Sequence, residues 1–242
     1  MKTVLITGAN GGLGRSLVEK YAQNDYSIIA HMRSEKKDFI EFSNIIEEKY
    51  GVKINCLYFD LRDEQAIDKG LKEIISKKIK IDILINNAGV AHGGLLQMVP
   101  MRDIRTVFDV NFFAVIQITQ FISRWMKKNG GGVIINMASV AGIDLEAGNC
   151  AYGTSKAAVI ALTKTLAQEL APYNIRINAV APGLTNTEMA TYMEKKAKEQ
   201  MISQSAMNRL AEPEEIANLV YYLSSDKASF INGQTIRIDG GM

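Results

Sequence analysis

The sequence predicts an α/β fold in which helices cover both faces of a seven-stranded parallel sheet, a doubly wound arrangement. Short β-rich segments alternate with longer helical segments along the whole chain. This alternation favours parallel strands joined by right-handed crossovers, which place helices on both faces. Several of the β-rich segments are also almost continuously apolar, for example Val133-Ile134-Ile135, as expected of strands covered on both sides.

The predicted strands cover residues 3–7, 27–32, 52–59, 81–86, 133–138, 175–180 and 235–238. Between them, apolar residues recur every three or four positions, as at Leu13, Leu17 and Val18, which predicts amphipathic helices. No linker or repeat interrupts the pattern, so residues 1–242 are expected to form a single domain. Residues 185–211 are polar and helical in pattern, and no β-rich segment follows until residue 235, so we interpret them as a substrate lid.

Composition excludes several classes of protein. With 242 residues, of which 47% are hydrophobic and 22% charged, the chain has enough apolar material for a large core and is not expected to be disordered. Its formal net charge of +2 provides no basic field for nucleic acid. The longest stretch free of charged residues, 83–101, is interrupted by Asn, His, Gly and Pro, so no membrane span is predicted.

The sequence gives no sign of export or of a metal site. Only three consecutive apolar residues, 4–6, precede Gly8, far fewer than a signal-peptide core contains. Cys56 and Cys150 fit no metal or redox spacing, and we expect both to be small buried hydrophobes in a cytoplasmic protein. His31 and His92 are isolated from other metal-binding residues, so each is expected to pack in the core or at a pocket edge.

A glycine-rich segment, Thr7-Gly8-Ala9-Asn10-Gly11-Gly12-Leu13-Gly14, joins the first predicted strand to the first predicted helix. Such a bend lets backbone N–H groups approach a pyrophosphate, while the start of the helix presents unpaired amides and a positive dipole end. An ordinary tight turn is the alternative, because a glycine pattern alone is weak support. Its position in a βαβ array favours a dinucleotide-binding loop of the Rossmann type.

The spacing Gly8-xxx-Gly12-x-Gly14, preceded by Thr7, resembles that of the short-chain dehydrogenase/reductase family. The family's further motifs follow in order along nearly the whole chain. They are Asp60 after the third strand, Asn86-Asn87-Ala88-Gly89 after the fourth, Asn111 within a helix, Ser139 after the fifth strand, Tyr152-xxx-Lys156, and Pro182-Gly183 after the sixth.

Two Tyr-xxx-Lys matches occur, and only one has the right surroundings. Tyr192 and Lys196 lie in the predicted lid, with no serine-bearing strand end 13 residues upstream, and we interpret them as a solvated helix face. Tyr152 and Lys156 follow Ser139 by 13 and 17 residues, at the carboxyl end of a strand, where open α/β sheets bind ligands.

The candidate catalytic residues are Asn111, Ser139, Tyr152 and Lys156. Tyr152 and Lys156 share one helix face, and an adjacent ammonium favours the phenolate, which lowers the pKa of a tyrosine and makes it a usable proton donor. Ser139 can hydrogen-bond the same substrate oxygen, while a reduced nicotinamide supplies hydride. The resemblance implies that Lys156 also holds the nicotinamide ribose and that Asn111 anchors a water relay. A buried amide that ties a helix to the sheet is the alternative for Asn111.

The resemblance also implies a set of cofactor-binding residues at the carboxyl ends of the strands. The set is Thr7, Gly8, Asn10, Gly12, Leu13, Gly14, Arg33, Asp60, Leu61, Asn87, Ala88, Gly89, Tyr152, Lys156, Pro182, Gly183, Thr185 and Thr187. Asp60 would contact adenine, or cap the following helix. Pro182-Gly183 would pass close to the nicotinamide, or form a plain turn.

The end of the second strand predicts the choice of cofactor. An acidic residue there would accept hydrogen bonds from the adenosine 2′-hydroxyl and repel a 2′-phosphate, whereas an arginine accommodates the phosphate. Met32 and Arg33 occupy the place, so NADP(H) is expected to be preferred over NAD(H). Two points keep NAD(H) open: Gly11 stands where many NADP-preferring relatives carry a basic residue, and Arg33 can also be a solvated charge.

Within the family, the stretch 180–183 and the ending 233–242 resemble 3-oxoacyl-acyl-carrier-protein reductases. This implies NADP(H)-dependent reduction of a 3-oxoacyl thioester to a 3-hydroxyacyl thioester in fatty acid synthesis. Such reductases commonly carry basic residues where this chain has Asn129 and Tyr173, which weakens the case for an acyl carrier protein as partner. A secondary-alcohol dehydrogenase for a free steroid, sugar or small ketone therefore stays open, and so does a non-catalytic NADP(H)-sensing protein.

A homotetramer is the expected assembly. The helix after Asn111 carries more apolar surface than one buried face needs, and relatives bury the segment 230–242 between subunits. The apolar side chains of that helix region are Phe108, Phe112, Phe113, Ile116, Phe121, Trp125 and Met126.

Overall fold

The computed structural model describes residues 1–188 and 195–242. In this part of the chain, seven parallel strands form one sheet in the order β3-β2-β1-β4-β5-β6-β7, which confirms the predicted doubly wound, Rossmann-type fold. The strands are β1 (Thr3–Thr7), β2 (Ser27–Met32), β3 (Ile54–Tyr58), β4 (Ile83–Asn86), β5 (Gly132–Met137), β6 (Ile175–Pro182) and β7 (Thr235–Ile238). The strand order reverses between β1 and β4, and ligands of such sheets bind beyond the carboxyl ends at that point.

The helices follow the predicted alternation. They are α1 (Gly12–Ala22), α2 (Lys37–Tyr50), α3 (Glu64–Ser76), α4 (Met101–Phe108), α5 (Ala114–Lys128), α6 (Cys150–Leu170), α7 (Lys195–Gln204) and α8 (Pro213–Ser224). A five-residue π-helical turn, Asp109–Phe113, joins α4 to α5 without a break in the helix. Such turns occur often at functional sites.

Two apolar layers hold the helices against the sheet. One layer joins α1, α2 and α8 to one face through side chains such as Leu17, Phe39 and Ile216. The other joins α3, α5 and α6 to the opposite face through side chains such as Leu71 and Ile118. Because successive strand residues point to opposite faces, each central strand contributes to both layers, which is why its sequence is apolar throughout.

The run Met101–Lys128 is long and apolar enough to cross a membrane by length and composition alone. Half of its most apolar window is buried inside the fold, and a core helix passes the same test.

The two ends of the predicted lid, 185–211, meet each other. A parallel bridge joins Thr185 to Ala211, with the amide of Asn186 donating to Ala211 O at 2.8 Å and the amide of Ala211 donating to Leu184 O at 3.1 Å. Residues 189–194 of this segment lie outside the described residues. The two ends of the segment are therefore held side by side, and its role as a lid stays a prediction.

Candidate active site

The glycine-rich loop is shaped by contacts that leave no room for side chains. Gly8 has a φ of +66°, which favours glycine. A Cβ on Gly14 would lie 2.2 Å from Gly8 O, so helix α1 starts in direct contact with the loop. No side chain caps α1 at Gly11, and its first turn carries no acidic residue. The free amides and positive dipole end of this helix therefore fit a pyrophosphate.

Arg15 is a loop contact that the sequence motifs did not predict. Its Nε donates to Asn10 O at 3.1 Å and its Nη2 to Asn10 Oδ1 at 2.6 Å. It also pairs with Asp38 of α2, and the guanidinium lies over the rings of Phe39 and Phe42. Arg15 thus fixes both the main chain and the side chain of Asn10, one of the predicted cofactor residues.

The loop after β4 is bound to the glycine-rich loop by four hydrogen bonds. The amides of Asn87 and Ala88 each donate to Thr7 Oγ1 at 3.0 Å. The Asn87 side chain donates to Thr7 O at 2.9 Å and to Gly8 O at 3.1 Å. The two predicted cofactor segments therefore form one rigid rim at the carboxyl end of the sheet.

Arg33 and Asp60 lie near each other at the carboxyl ends of β2 and β3. Arg33 is exposed, and its charge contributes to a pKa of Asp60 lowered to about 2, for which the hydrogen bonds from Arg62 are the main cause. Arg62 Nε donates to both carboxylate oxygens of Asp60, at 3.0 and 3.1 Å. Leu61, the residue between Asp60 and Arg62 in the sequence, is partly buried.

The suggestion that Asp60 caps the next helix is wrong. Helix α3 begins at Glu64, and its N-cap is Asp63, whose Oδ1 accepts from the amides of Gln65 and Ala66. Asp60 lies three residues before the cap, too early to reach the free amides of the first turn. The Asp60 carboxylate instead pairs with Arg62 at the edge of the crevice.

Ser139, Tyr152 and Lys156 come together beyond the carboxyl end of β5. The Ser139 hydroxyl hydrogen-bonds the Tyr152 hydroxyl, and it also accepts from the amide of Ala141 at 3.2 Å. Lys156 is only 4% exposed, and its Nζ donates to Met137 O at 2.7 Å. Ser139 and Tyr152 therefore pair with each other, and the Lys156 ammonium lies beside the tyrosine ring, 5.8 Å from its centroid.

Burial is the main influence on the pKa of Tyr152 in this structure, and the lowering expected from Lys156 together with an oxidised nicotinamide stays a prediction. Burial raises the pKa of Tyr152, and the hydrogen bond with Ser139 opposes that rise. The ammonium lies 5.8 Å from the centroid of the tyrosine ring and is directed to Met137 O. Burial also lowers the pKa of Lys156 to about 8, because a buried ammonium loses its hydration.

Asn111 is fully buried within the π-helical turn. Its Nδ2 donates to Val90 O at 2.9 Å and to Ser155 Oγ at 3.0 Å, and its Oδ1 accepts from Val90 N at 2.8 Å. These bonds tie the helix to the loop after β4 and to α6, a tethering role of the kind that the buried-amide alternative predicts, and the water relay stays a prediction. A Cβ on Gly89 would lie 3.4 Å from both Asn111 Oδ1 and Lys156 Nζ, so Gly89 stands between these groups.

The segment after β6 closes over the glycine-rich loop. A Cβ on Gly12 would lie 3.2 Å from Thr187 Cγ2, and the amide of Thr187 donates to Thr185 O at 2.8 Å. Pro182 is the last residue of β6, and the amide of Gly183 donates to Ile238 O at 2.9 Å. The structure therefore brings the late motif residues to the early ones across the crevice.

A cavity of about 320 Å³ opens beside the Ser139 loop. Its lining residues are Val140, Ala141, Asp144, Glu146, Asn149, Gln204 and Met242. Four of these seven side chains carry polar groups, and Met242 and Val140 provide apolar walls. The cavity is the candidate substrate pocket, because it begins one residue after Ser139.

Cys150 is exposed, which corrects the expectation that it is buried. The buried face of α6 includes Ala151, Ser155 and Val159, and Cys150 lies about 100° away from Ala151 around the helix. Cys56 is partly buried, and His31 is packed in the core, where its Nε2 lies 3.0 Å from Phe59 O.

Among the described residues, no group of three or more His, Cys, Asp or Glu side chains is placed to hold a metal ion. The second Tyr-xxx-Lys match is not described there, because Tyr192 falls in the segment 189–194.

Comparison with known sequences gives full-length matches. A family model described as enoyl-(acyl carrier protein) reductase matches residues 8–242. The 3-oxoacyl-[acyl-carrier-protein] reductase of Thermotoga maritima is 37% identical over 243 residues, which cover 100% of this chain and 97% of the relative. The same-named enzyme of Aquifex aeolicus is 37% identical over 241 residues, with 100% and 97% covered.

Comparison with solved structures gives the same fold with different substrates. L-sorbose reductase from Gluconobacter frateurii, complexed with NADPH and L-sorbose, aligns with a TM-score of 0.92 at 27% identity and covers 100% of this chain and 96% of that one. A 7α-hydroxysteroid dehydrogenase complexed with NADH and 7-oxo glycochenodeoxycholic acid has a TM-score of 0.90 at 30% identity, with 99% and 93% covered.

Proposed function

Because the chain belongs to the short-chain dehydrogenase/reductase family, and is therefore an oxidoreductase acting on CH–OH groups, we propose that it reduces 3-oxoacyl thioesters to 3-hydroxyacyl thioesters with NADP(H), as in fatty acid synthesis. The observation that carries the proposal is the placement of Ser139, Tyr152 and Lys156 together at the carboxyl end of β5, next to the cavity. The thioester substrate is that of the 3-oxoacyl-acyl-carrier-protein reductases to which the whole chain is similar.

In the proposed mechanism, the chain's own residues handle the proton and the oxygen. Tyr152 donates its phenolic proton to the carbonyl oxygen, and the Ser139 hydroxyl stabilises the negative charge that develops there. Lys156 holds positive charge beside them, and the family resemblance implies that Asn111 anchors a water relay that returns a proton to Tyr152. When bound, the nicotinamide supplies the hydride.

The cofactor is held, in this proposal, by the rim of the two early loops and by the segment 182–187. Uncapped amides at the start of α1 receive the pyrophosphate. Arg33 is exposed, and no acidic residue precedes it in β2, which favours a 2′-phosphate and hence NADP(H) over NAD(H). A cytoplasmic location follows from the same assignment, because the acyl-thioester substrate and NADPH are cytoplasmic.

An acidic carrier protein suits the carboxyl end of α5. Arg124, Lys127 and Lys128 are exposed there, at the three- and four-residue spacing that places them on one face. The Lys127 ammonium lies 3.7 Å from the centroid of the Tyr173 ring, so Tyr173 orients a cation instead of supplying one. Complementary charge of this kind guides docking more than it adds affinity.

A free hydroxyketone is the second candidate substrate. The lining of the candidate substrate pocket includes four polar side chains, those of Asp144, Glu146, Asn149 and Gln204. Carboxylates and amides of this kind hydrogen-bond the hydroxyls of a sugar. The L-sorbose reductase with the same fold is an example of this substrate class.

One kinetic panel tests both candidates. NADPH consumption is measured with acetoacetyl coenzyme A, S-acetoacetyl-N-acetylcysteamine, L-sorbose and a 7-oxo bile acid. The highest kcat/KM is expected for a thioester. A free ketone with tenfold higher kcat/KM than either thioester would overturn the thioester assignment, and tight NADPH binding with no turnover of any ketone would favour a sensing protein.

A further inference from the structure

Arg237 of the edge strand β7 joins three separate parts of the chain. Its Nη1 donates to Asp144 Oδ1 at 2.9 Å, its Nε to Asp239 Oδ2 at 2.7 Å, and its Nη2 to Met242 O at 3.0 Å. The Arg237 side chain is one-third exposed. No motif of the sequence singles out this residue, because its partner Asp144 lies 93 positions away.

Two of the three partners line the candidate substrate cavity. Asp144 and Met242 both belong to its lining, and Asp144 follows Ser139 by only five residues. The third partner, Asp239, packs on the predicted nicotinamide segment, since a Cβ on Gly183 would lie 2.9 Å from Asp239 Cα. One guanidinium therefore joins two residues of the cavity lining, Asp144 and Met242, to each other.

The same contacts balance charge at the cavity. One guanidinium faces two carboxylates, Asp144 and Asp239, and its hydrogen bond helps to lower the pKa of Asp239. Glu146, which also lines the cavity, is exposed. Without Arg237, Asp144 and Asp239 would lose the cation they share, and Asp144 would add its negative charge to that of Glu146 in the cavity lining.

We propose that Arg237 is a positioning residue for substrate binding, which holds the Asp144 and Met242 walls of the cavity together and neutralises Asp144 so that anionic acyl thioesters can enter. The inference rests on the proposed function in its substrate class. Its geometric part, the joining of the two walls, holds for any substrate of this cavity.

The test compares an anionic and a neutral substrate. Arg237→Met is expected to raise KM for acetoacetyl coenzyme A about tenfold, because Asp144 is then left uncompensated beside an anionic substrate, with kcat within about threefold of wild type. KM for the neutral S-acetoacetyl-N-acetylcysteamine is expected to rise about threefold, from the loss of positioning alone. Adding Asp144→Asn to Arg237→Met should restore most of the coenzyme A KM, because it removes the uncompensated charge.

Controls separate this role from general stability. Lys72→Met removes an exposed ion pair on α3, with Asp68, outside the cavity lining, and should leave both KM values unchanged. Urea unfolding of each variant checks the fold. Should Arg237→Met fail to fold, Asp144→Asn alone is expected to lower KM for acetoacetyl coenzyme A, since it removes a negative charge from the cavity lining and leaves the guanidinium paired with Asp239.

The outcomes are distinct. A loss of kcat with unchanged KM, equal effects on both thioesters, or no rescue by Asp144→Asn would overturn the proposal. If wild type reduces neither thioester, the proposed function fails, and the same variants are assayed with the ketone it reduces best. A raised KM for that ketone in Arg237→Met would then support the positioning role, and an unchanged KM would overturn it.

Discussion

Tyr152 experiences two opposing influences on its pKa, burial that raises it and the Ser139 hydroxyl that lowers it. A raised pKa makes a tyrosine a weaker acid, whereas a general acid works best when its pKa lies near the working pH. Positive charge brought close to the phenol would move the pKa down again. Lys156 lies one helical turn away from Tyr152, and its ammonium is the positive charge that we expect to lower this pKa.

Removing that proton donor should abolish most of the activity. Tyr152→Phe is expected to lower kcat by about two orders of magnitude or more while NADPH still binds, because general acid catalysis contributes about that much. Steady-state kinetics and cofactor fluorescence measure the two effects. Tyr192→Phe, which alters the other Tyr-xxx-Lys match, is the control and should be nearly silent. Turnover of Tyr152→Phe within threefold of wild type would rule out the role.

The buried ammonium of Lys156 should be visible in the pH dependence of stability. Its pKa falls from 10.5 to about 8 on folding, so between these values the unfolded chain binds more protons than the folded one. The free energy of unfolding contributed by Lys156 therefore rises with pH over this window, by at most about 1.4 kcal/mol per pH unit, and is lost as the pH falls to about 8.

Urea unfolding from pH 7 to 11 checks this. The difference in unfolding free energy between wild type and Lys156→Met should grow in favour of wild type above about pH 8. Lys164→Met, which changes an exposed lysine of the same helix, should show no such trend. A pH-independent difference for Lys156→Met would contradict the assigned pKa.

Arg33 is the residue expected to choose the cofactor. Arg33→Asp removes a charge-assisted contact with a 2′-phosphate, worth about 1.5–3 kcal/mol, and adds repulsion. The ratio of kcat/KM for NADPH over NADH should then fall at least tenfold. Lys53→Asp, an equal charge change at an exposed residue just before β3, should leave the ratio unchanged. A shift below threefold would mean that Arg33 faces only solvent, and a wild type that prefers NADH would refute the assignment itself.

At the residue scale, motifs predicted the positions that local spacing defines. Ser139, Tyr152 and Lys156 were found because strand ends and helix faces bring them together. Arg15 and Arg237 were missed because their partners are set by tertiary contacts. The exposure of Cys150 was missed because its position on the face of α6 depends on where that helix begins.

At the scale of elements, glycine spacing in the first loop carries a sharp consequence. Gly14→Ala would place a Cβ 2.2 Å from Gly8 O, so the loop must move. We expect a loss of NADPH affinity of about tenfold or more and a destabilisation of about 1–3 kcal/mol. Isothermal titration and urea unfolding measure both.

Gly11→Ala is the matched control for this element. Gly11 has a φ of −69°, and a Cβ there would find its nearest neighbour, Gly8 O, at 3.8 Å. The substitution should cost less than about 1 kcal/mol, the usual effect of alanine at an N-cap. Equal effects of the two alanines would mean that close packing of Gly14 does not shape the loop.

Strand positions were predicted well and strand ends less well. The predicted 52–59 shortens to Ile54–Tyr58, and 175–180 extends to Pro182. Apolar pattern reports which residues are buried, whereas strand ends depend on hydrogen bonds to neighbours, such as β6 pairing Pro182 with Ile238. The long helix was expected, but its π-helical turn at Asn111 was not, because apolar spacing indicates helix without specifying the hydrogen-bond pattern of a single turn.

At the scale of the whole molecule, two expectations from the sequence stay predictions: a single domain over 1–242, and a lid over 185–211. The single sheet and the joined ends of the lid segment are consistent with both. Arg237 adds a connection at this scale, because it links the edge strand to the loop that carries Ser139.

The last prediction is a homotetramer, and exposed aromatic side chains are its basis. Phe230 is fully exposed and Phe113 is 54% exposed. Phe113 lines a groove between α3 and α5 that Leu61 and Ile116 share. Apolar surfaces of this kind are usually covered by a partner, and two-fold symmetry would pair each surface with its own copy.

Sedimentation velocity at micromolar concentration should therefore show a tetramer for wild type. Phe230→Glu buries a charge in the expected interface and should shift the protein to smaller species, because an unpaired charge is costly to desolvate. Ile45→Glu alters another exposed apolar side chain, 62% exposed on α2, outside both expected interfaces, and should leave the tetramer intact. A stable wild-type monomer would refute the assembly, and dissociation by Ile45→Glu in place of Phe230→Glu would relocate the interface to α2.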